Sequence, residues 1–244
     1  MATWCTLEQN LIKRKHINTI AWVSEARKLV TTLPAHQVLK TPDSAPASAA
    51  SKSGHEALSK EKLERRVKSI RSEFMQDPSN IDELLLSVDE VRGTPDYGAQ
   101  FVSMNADRIM DCKDDERKAA FSMLAILVEK GKISSSDVKA GLMDTIESID
   151  SLVCDAPKAY AYLGEMLSTM LRVKAIDVSY VCEQAEKTKV GGEEIPENLI
   201  RAFAGALKAS QGKDEMRASF SGSAKALESL LGSDKWAVIS KDIL

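Results

Sequence analysis

Histidine and cysteine build most metal sites and nucleophilic catalytic sites, and this chain places them poorly for either chemistry. The sequence holds 3 histidines, all before residue 56, and 4 widely spaced cysteines. These residues are His16, His36, His55, Cys5, Cys112, Cys154 and Cys182. No zinc ligand set, disulfide framework or Cys–His pair is readable. Gly-x-Ser-x-Gly, Walker and His-Glu-x-x-His motifs are also absent from the sequence. We therefore predict a protein that is not an enzyme and holds no metal or cofactor.

Acidic residues cluster at Asp111 and at Asp114-Asp115-Glu116, where oxygen ligands for a metal could in principle converge. The calcium-loop pattern Asp-x-Asp-x-Asp-Gly is missing, however. Negative charge is also favoured in the first turn of a helix, because it complements the helix dipole. The cluster therefore predicts the start of a helix.

Basic residues form two clusters that are candidates for contact with RNA phosphates, Lys13-Arg14-Lys15 and Arg65-Arg66. Basic residues interleaved with Glu on a helix more often form ordinary solvated faces, so the solvated face is the favoured interpretation and RNA contact is the alternative. The net charge of −3 supplies no basic excess to drive sequence-independent binding to nucleic acid. Residues 1–60 hold 8 Lys/Arg against 4 Asp/Glu, a net of +4, and residues 61–244 hold 25 against 32, a net of −7. The larger part of the chain is acidic.

The sequence Asp155-Ala156-Pro157 is typical of a helix start. An aspartate there can accept hydrogen bonds from the first free N–H groups of the helix, and proline fits the first turn because no N–H is needed. We therefore predict that Asp155 is a helix cap. A cap is already ordered, so it could also pair with a basic residue of a partner at little extra entropic cost.

The elements that must position these residues are helices. Glycine numbers 12, proline 7 and aromatic residues make up 5% of the chain, which is a poor supply for a β-rich core. Leu63, Val67, Ile70 and Phe74 recur at helical spacing after a capping residue, Ser59. Similar apolar faces predict seven further helices, one of them with Thr94 as its cap and Pro95 in its first position. The fourth helix is expected to end at Gly131, and the fifth to begin after a cap at Ser134. The apolar face of the fifth helix is Val138, Leu142, Ile146 and Ile149. No strand periodicity is present, so we predict an all-α fold of stacked antiparallel helical hairpins, a HEAT-like helical repeat.

The chain divides into four predicted segments. Residues 1–40 are expected to be a helical N-terminal segment, and residues 41–58 a flexible linker that lacks apolar bulk. Residues 59–212 form the helical-repeat domain. Residues 213–244 form a tail of short helices that either packs back on the eighth helix or serves as a peptide for a partner groove. With no long apolar run and no secretory signal, we expect a cytoplasmic protein without a membrane partner.

Two stretches resemble a known family. Leu63–Phe74 followed by Asn80–Glu83 resembles the first helix and turn of the MA-3 domain of the eukaryotic translation initiation factor 4G family, also found in programmed cell death protein 4. Asp155–Leu167 is similar to the most recognisable segment of that domain, an Asp-x-Pro followed by a Leu-[Gly/Ala]-Glu turn. The resemblance covers roughly residues 59–212.

The resemblance implies a binding module of translation initiation whose partner is the DEAD-box RNA helicase, initiation factor 4A, with other initiation factors as further partners. In that family a second acidic residue lies four positions ahead of the Asp-x-Pro aspartate and faces the helicase. Here that position is Ser151, and Asp150 precedes it. The implied partner-binding residues are Asp150, Asp155, Pro157 and Lys158.

Two alternatives remain at this stage. A translational repressor of the programmed cell death protein 4 type would sequester the same helicase, but it carries two such domains and we find one. A generic helical-repeat subunit of a large assembly is the alternative from another class. The sequence leaves open whether the chain is complete or part of a larger scaffold.

Overall fold

A computed structural model describes residues 57–243 of the chain. The predicted N-terminal segment, residues 41–56 of the predicted linker and the basic cluster Lys13-Arg14-Lys15 lie outside these residues. Within them the chain forms twelve α-helices and one short 3-10 helix, and no strand occurs between residues 57 and 243. The predicted all-α fold is confirmed.

The helices follow one another with short connections. The first six are α1 (Lys60–Gln76), α2 (Ile81–Asp89), α3 (Tyr97–Arg108), α4 (Asp114–Glu129), α5 (Ser135–Glu147) and α6 (Ile149–Asp155). The others are α7 (Ala159–Arg172), α8 (Val178–Lys187), α9 (Ile195–Gln211), α10 (Lys213–Ser221), α11 (Ala224–Leu231) and α12 (Ser233–Ile243), with the 3-10 helix Thr188–Val190 between α8 and α9. None of the described helices is both long and apolar enough to cross a membrane.

Local signals set several of these boundaries where the sequence predicts them. The Ser59 hydroxyl accepts a hydrogen bond from the Lys62 N–H at the start of α1. Ser134 and Asp137 form a reciprocal capping box at the start of α5. Beyond the end of α4, Gly131 adopts a φ of 67°, a conformation that glycine tolerates without strain. The helix start predicted from Asp114 is also confirmed.

Two predicted features are wrong. Thr94 does not cap α3, because its hydroxyl instead accepts a hydrogen bond from the Leu58 N–H at 3.0 Å, and the helix begins two residues after Pro95, at Tyr97. The fifth predicted apolar face included Ile149, but α5 ends at Glu147 and Ile149 opens a separate short helix, α6. At Thr94 the cause is a contact from outside the local sequence, which engages the hydroxyl. At Ile149 the apolar spacing continues across Ser148, the residue at which α5 ends and α6 begins.

The helices stack in two closely packed pairs, α3 with α5 and α7 with α9. A Cβ atom at Gly141 would lie 2.5 Å from the Ala99 carbonyl oxygen, and one at Gly164 would lie 2.6 Å from the Ala202 carbonyl oxygen. Glycine at these two positions therefore lets the helix backbones approach closely. Helix α4 contacts α7 and α1, and α1 in turn contacts α3, so α1 and α4 together link the two pairs.

The C-terminal helices pack back on the domain. Met216, Phe220, Leu227, Trp236 and Ile239 are all buried and belong to the same apolar core as Leu63 and Phe101. Helix α11 contacts α8 and α9. Of the two interpretations of the tail, packing within the chain is the one that the structure shows.

Candidate partner-binding surface

The short helix α6 carries both aspartates of the predicted partner-binding site. Ile149 at its first position is fully buried and anchors the helix in the core, whereas Asp150 and Asp155 are exposed. The helix ends at Asp155, and Ala156 is extended (φ −124°, ψ 91°), as expected for a residue before proline. Pro157 and Lys158, which follow, are exposed as well. We call Asp150, Asp155, Pro157 and Lys158 the α6 surface.

The predicted capping role of Asp155 is wrong. Asp155 is the last residue of α6, and α7 begins four residues later at Ala159, with Lys158 in the cap position and no side-chain cap. Within residues 57–243 the Asp155 carboxylate has neither a hydrogen bond nor an ion pair. A negative charge at the C-terminal end of a helix is also disfavoured by the helix dipole. Asp155 therefore has no stabilising role in the described part of the chain.

Asp150 and Asp155 do not share one face of α6. Residues four apart on a helix lie nearly above one another, but residues five apart are rotated by about 140°. Position 151, which would share a face with Asp155, is an exposed serine. The carboxylate of Asp150 instead lies against the connection between α8 and α9, where a Cβ atom at Gly191 would come within 2.8 Å of Oδ2.

A second carboxylate lies near Asp150, on this connection. Burial raises the pKa of the Tyr160 hydroxyl, hydrogen bonding with Asn198 opposes that rise, and the charges of Asp150 and Glu194 raise the pKa further. The geometry agrees, because a Cβ atom at Gly192, next to Gly191, would lie 2.9 Å from Oε1 of Glu194. Glu194 is not recognisable from the sequence, because it comes near Asp150 through the packing of α9 on α7 and of α7 on α6. We call residues 188–194 the Val190 turn.

The candidate RNA-binding arginines differ in their surroundings. Arg65 is exposed. Arg66 is half-buried, and its guanidinium donates hydrogen bonds to Glu90 at 3.0 Å, to Ser87 at 3.0 Å and to Glu73 at 3.2 Å. These contacts engage all three guanidinium nitrogens and leave few N–H donors for a phosphate. The structure does not favour Arg66 as an RNA contact.

Burial makes two of the cysteine thiols within the described residues less acidic than usual. Burial raises the pKa of Cys182 to about 11, and it also raises the pKa of Cys112.

Between residues 57 and 243 no group of three or more His, Cys, Asp or Glu side chains is placed to hold a metal ion. Asp114 pairs with Arg117, one turn along α4.

Comparison with known proteins gives one family and a set of curated relatives. Residues 63–177 match the family model of the MA3 domain. Eukaryotic translation initiation factor 4 gamma 3 of Homo sapiens is 30% identical over 141 residues, which cover 57% of this chain and 9% of that protein. Eukaryotic translation initiation factor 4G of Oryza sativa subsp. japonica is 28% identical over 168 residues, 68% of this chain and 9% of that protein.

The chain thus spans about a tenth of the length of these relatives. The family match begins inside α1, ends at Asp177 immediately before α8, and includes every residue of the α6 surface. The helices α8–α12 lie beyond the match but share its core. The resemblance seen in Leu63–Phe74 and Asp155–Leu167 is confirmed, since both stretches lie within residues 63–177, which match the MA3 domain model.

Proposed function

We propose that this chain is a module of translation initiation that binds the DEAD-box RNA helicase, initiation factor 4A, through the α6 surface. The MA3 match and the initiation factor 4G relatives support a role in translation initiation. The observation that carries the helicase proposal is the state of Asp155. Its carboxylate is exposed, makes no ion pair among residues 57–243, and occupies the helix end at which a negative charge is least favourable.

The chemistry of the α6 surface fits a basic partner. Asp150 and Asp155 can accept charge-assisted hydrogen bonds from Arg or Lys side chains. The exposed Pro157 ring between them and α7 adds a rigid apolar contact. Since α6 is anchored by the buried Ile149, the carboxylates are presented on an ordered element and little entropy is lost on binding.

The first test is the effect of removing each charge. Replacing Asp155 by asparagine should weaken binding to purified initiation factor 4A about tenfold, because a charged contact is lost at the interface. The melting temperature should stay the same or rise, since the substitution removes a charge that the helix dipole disfavours. Asp150→Asn should also weaken binding. Equilibrium titration and thermal melting measure the two effects.

Asp82 offers a matched control. Like Asp150 it is exposed and lies in the first turn of a short helix, but that helix is α2. Asp82→Asn should leave helicase binding unchanged. Equal binding by wild type and Asp155→Asn would contradict the proposed surface. A wild-type chain that fails to bind the helicase at micromolar concentration would contradict the helicase proposal and favour a generic helical subunit.

A further inference from the structure

The Val190 turn presents the most exposed large apolar side chain in residues 57–243. Val190 is 97% exposed, compared with 63% for Leu86 and 58% for Val238. An isolated exposed valine would be ordinary. Val190, however, lies beside the α6 surface. Its neighbour in the chain, Gly191, approaches the Asp150 carboxylate.

The turn is held in place from several directions. Thr188 is buried, and its hydroxyl donates a hydrogen bond to the Ala185 carbonyl at 2.8 Å. The Gly191 N–H donates to the Thr188 carbonyl at 3.0 Å, which closes the 3-10 turn. From α12, the Lys235 ammonium donates to the Glu193 carbonyl at 3.2 Å. A tip fixed in this way loses little conformational entropy when a partner covers it.

The charges around the turn are unevenly neutralised. Its three neighbouring lysines are engaged: Lys187 lies 3.5 Å from Glu147, Lys189 lies 2.9 Å from Glu186, and Lys235 lies 3.4 Å from Glu197. Glu194 and Asp150, by contrast, have no ion pair in the described range 57–243. Lys158 of the α6 surface adds one positive charge, but the three carboxylates of Asp150, Asp155 and Glu194 outnumber it. The surface around the apolar tip is therefore negative on balance and complementary to a basic one.

We propose that the Val190 turn is a second part of the helicase-binding surface, with Val190 as its apolar anchor. The inference rests on the proposed function and extends it to residues beyond the MA3 match. Val190 enters an apolar depression on the helicase whose rim carries Lys or Arg. Glu194 and Asp150 meet that rim, so Glu194 supplies the acidic contact that Ser151 cannot provide.

The test compares two exposed valines in the full chain. Val190→Ser should weaken binding to initiation factor 4A about tenfold, the effect of losing one buried valine side chain. Val238→Ser, on α12, should leave binding within about twofold, since Val238 lies outside the proposed surface. Both side chains are mostly exposed, so neither change should alter the melting temperature.

The outcomes separate this inference from the proposed function. If Asp155→Asn weakens binding and Val190→Ser binds as tightly as wild type, the inference is overturned and the α6 surface stands. If both weaken binding and Val238→Ser does not, the inference is supported. If wild type does not bind the helicase, both are overturned.

Discussion

Replacing Arg117 by methionine is expected to lower the free energy of unfolding by about 2–4 kcal/mol, because two backbone carbonyls lose their donor in the interior. Arg117 is 3% exposed. Its guanidinium donates hydrogen bonds to the carbonyls of Ile109 at 3.3 Å and Cys112 at 3.2 Å. The end of α3 is tied to α4 through these two bonds.

The Arg117 side chain also contacts α7, which belongs to the second helix pair, α7 with α9. The guanidinium carbon lies 3.5 Å from the centroid of the Tyr162 ring, and Nε lies 3.8 Å from a carboxylate oxygen of Glu165, both on α7. Lysine has neither the planar fork nor the stacking surface, so Arg117→Lys should recover only part of the loss.

Chemical denaturation followed by circular dichroism measures this effect. Arg201 is the control, since it is more exposed and makes an ordinary one-turn ion pair with Glu197 at 3.0 Å. Arg201→Met should cost no more than about 1 kcal/mol. A loss below that value in Arg117→Met would show that the carbonyls find other donors and that Arg117 does not join α3, α4 and α7.

The second large effect is expected at Phe220, where alanine should lower the free energy of unfolding by about 3–5 kcal/mol. Phe220 on α10 is fully buried, and its ring lies 5.4 Å from that of Phe203 on α9, tilted by 48°. Truncation would leave a cavity and remove this aromatic contact.

Phe220 matters because it lies beyond the MA3 match. If the C-terminal helices belong to one cooperative core, Phe220→Ala should shift a single unfolding transition. Val238→Ala, at an exposed position of α12, should change stability by less than about 1 kcal/mol. A separate early transition in Phe220→Ala, with the main one unmoved, would show that α10–α12 unfold as an independent unit.

The sequence predicts those elements whose signals are local. The apolar spacing of Leu63, Val67, Ile70 and Phe74 predicts the buried face of α1, and the capping box at Ser134 predicts the start of α5. At Thr94 the same kind of signal fails, because the hydroxyl is used by a distant N–H from Leu58. Local propensity cannot anticipate such a tertiary contact.

The candidate site is predicted in part for the same reason. Asp155 and Pro157 are recognisable from the sequence, but the cap expected at Asp155 is wrong because a seven-residue helix precedes the proline and ends on the aspartate. Glu194 and Val190 carry no signal of their own. The turn that holds them contacts Asp150 at Gly191, and its position depends on the packing of α9 against α7.

Negative charge at Asp150 and Asp155 is proposed to guide recognition of a basic partner. The salt dependence of the association rate with purified initiation factor 4A tests this proposal most directly. Opposite charges steer encounter and are screened by salt, so the wild-type association rate should fall about tenfold or more as ionic strength rises. A folded Asp150→Asn, Asp155→Asn double variant should associate more slowly at low salt and show a clearly shallower dependence. Superimposable salt dependences for the wild type and the folded double variant would contradict the account.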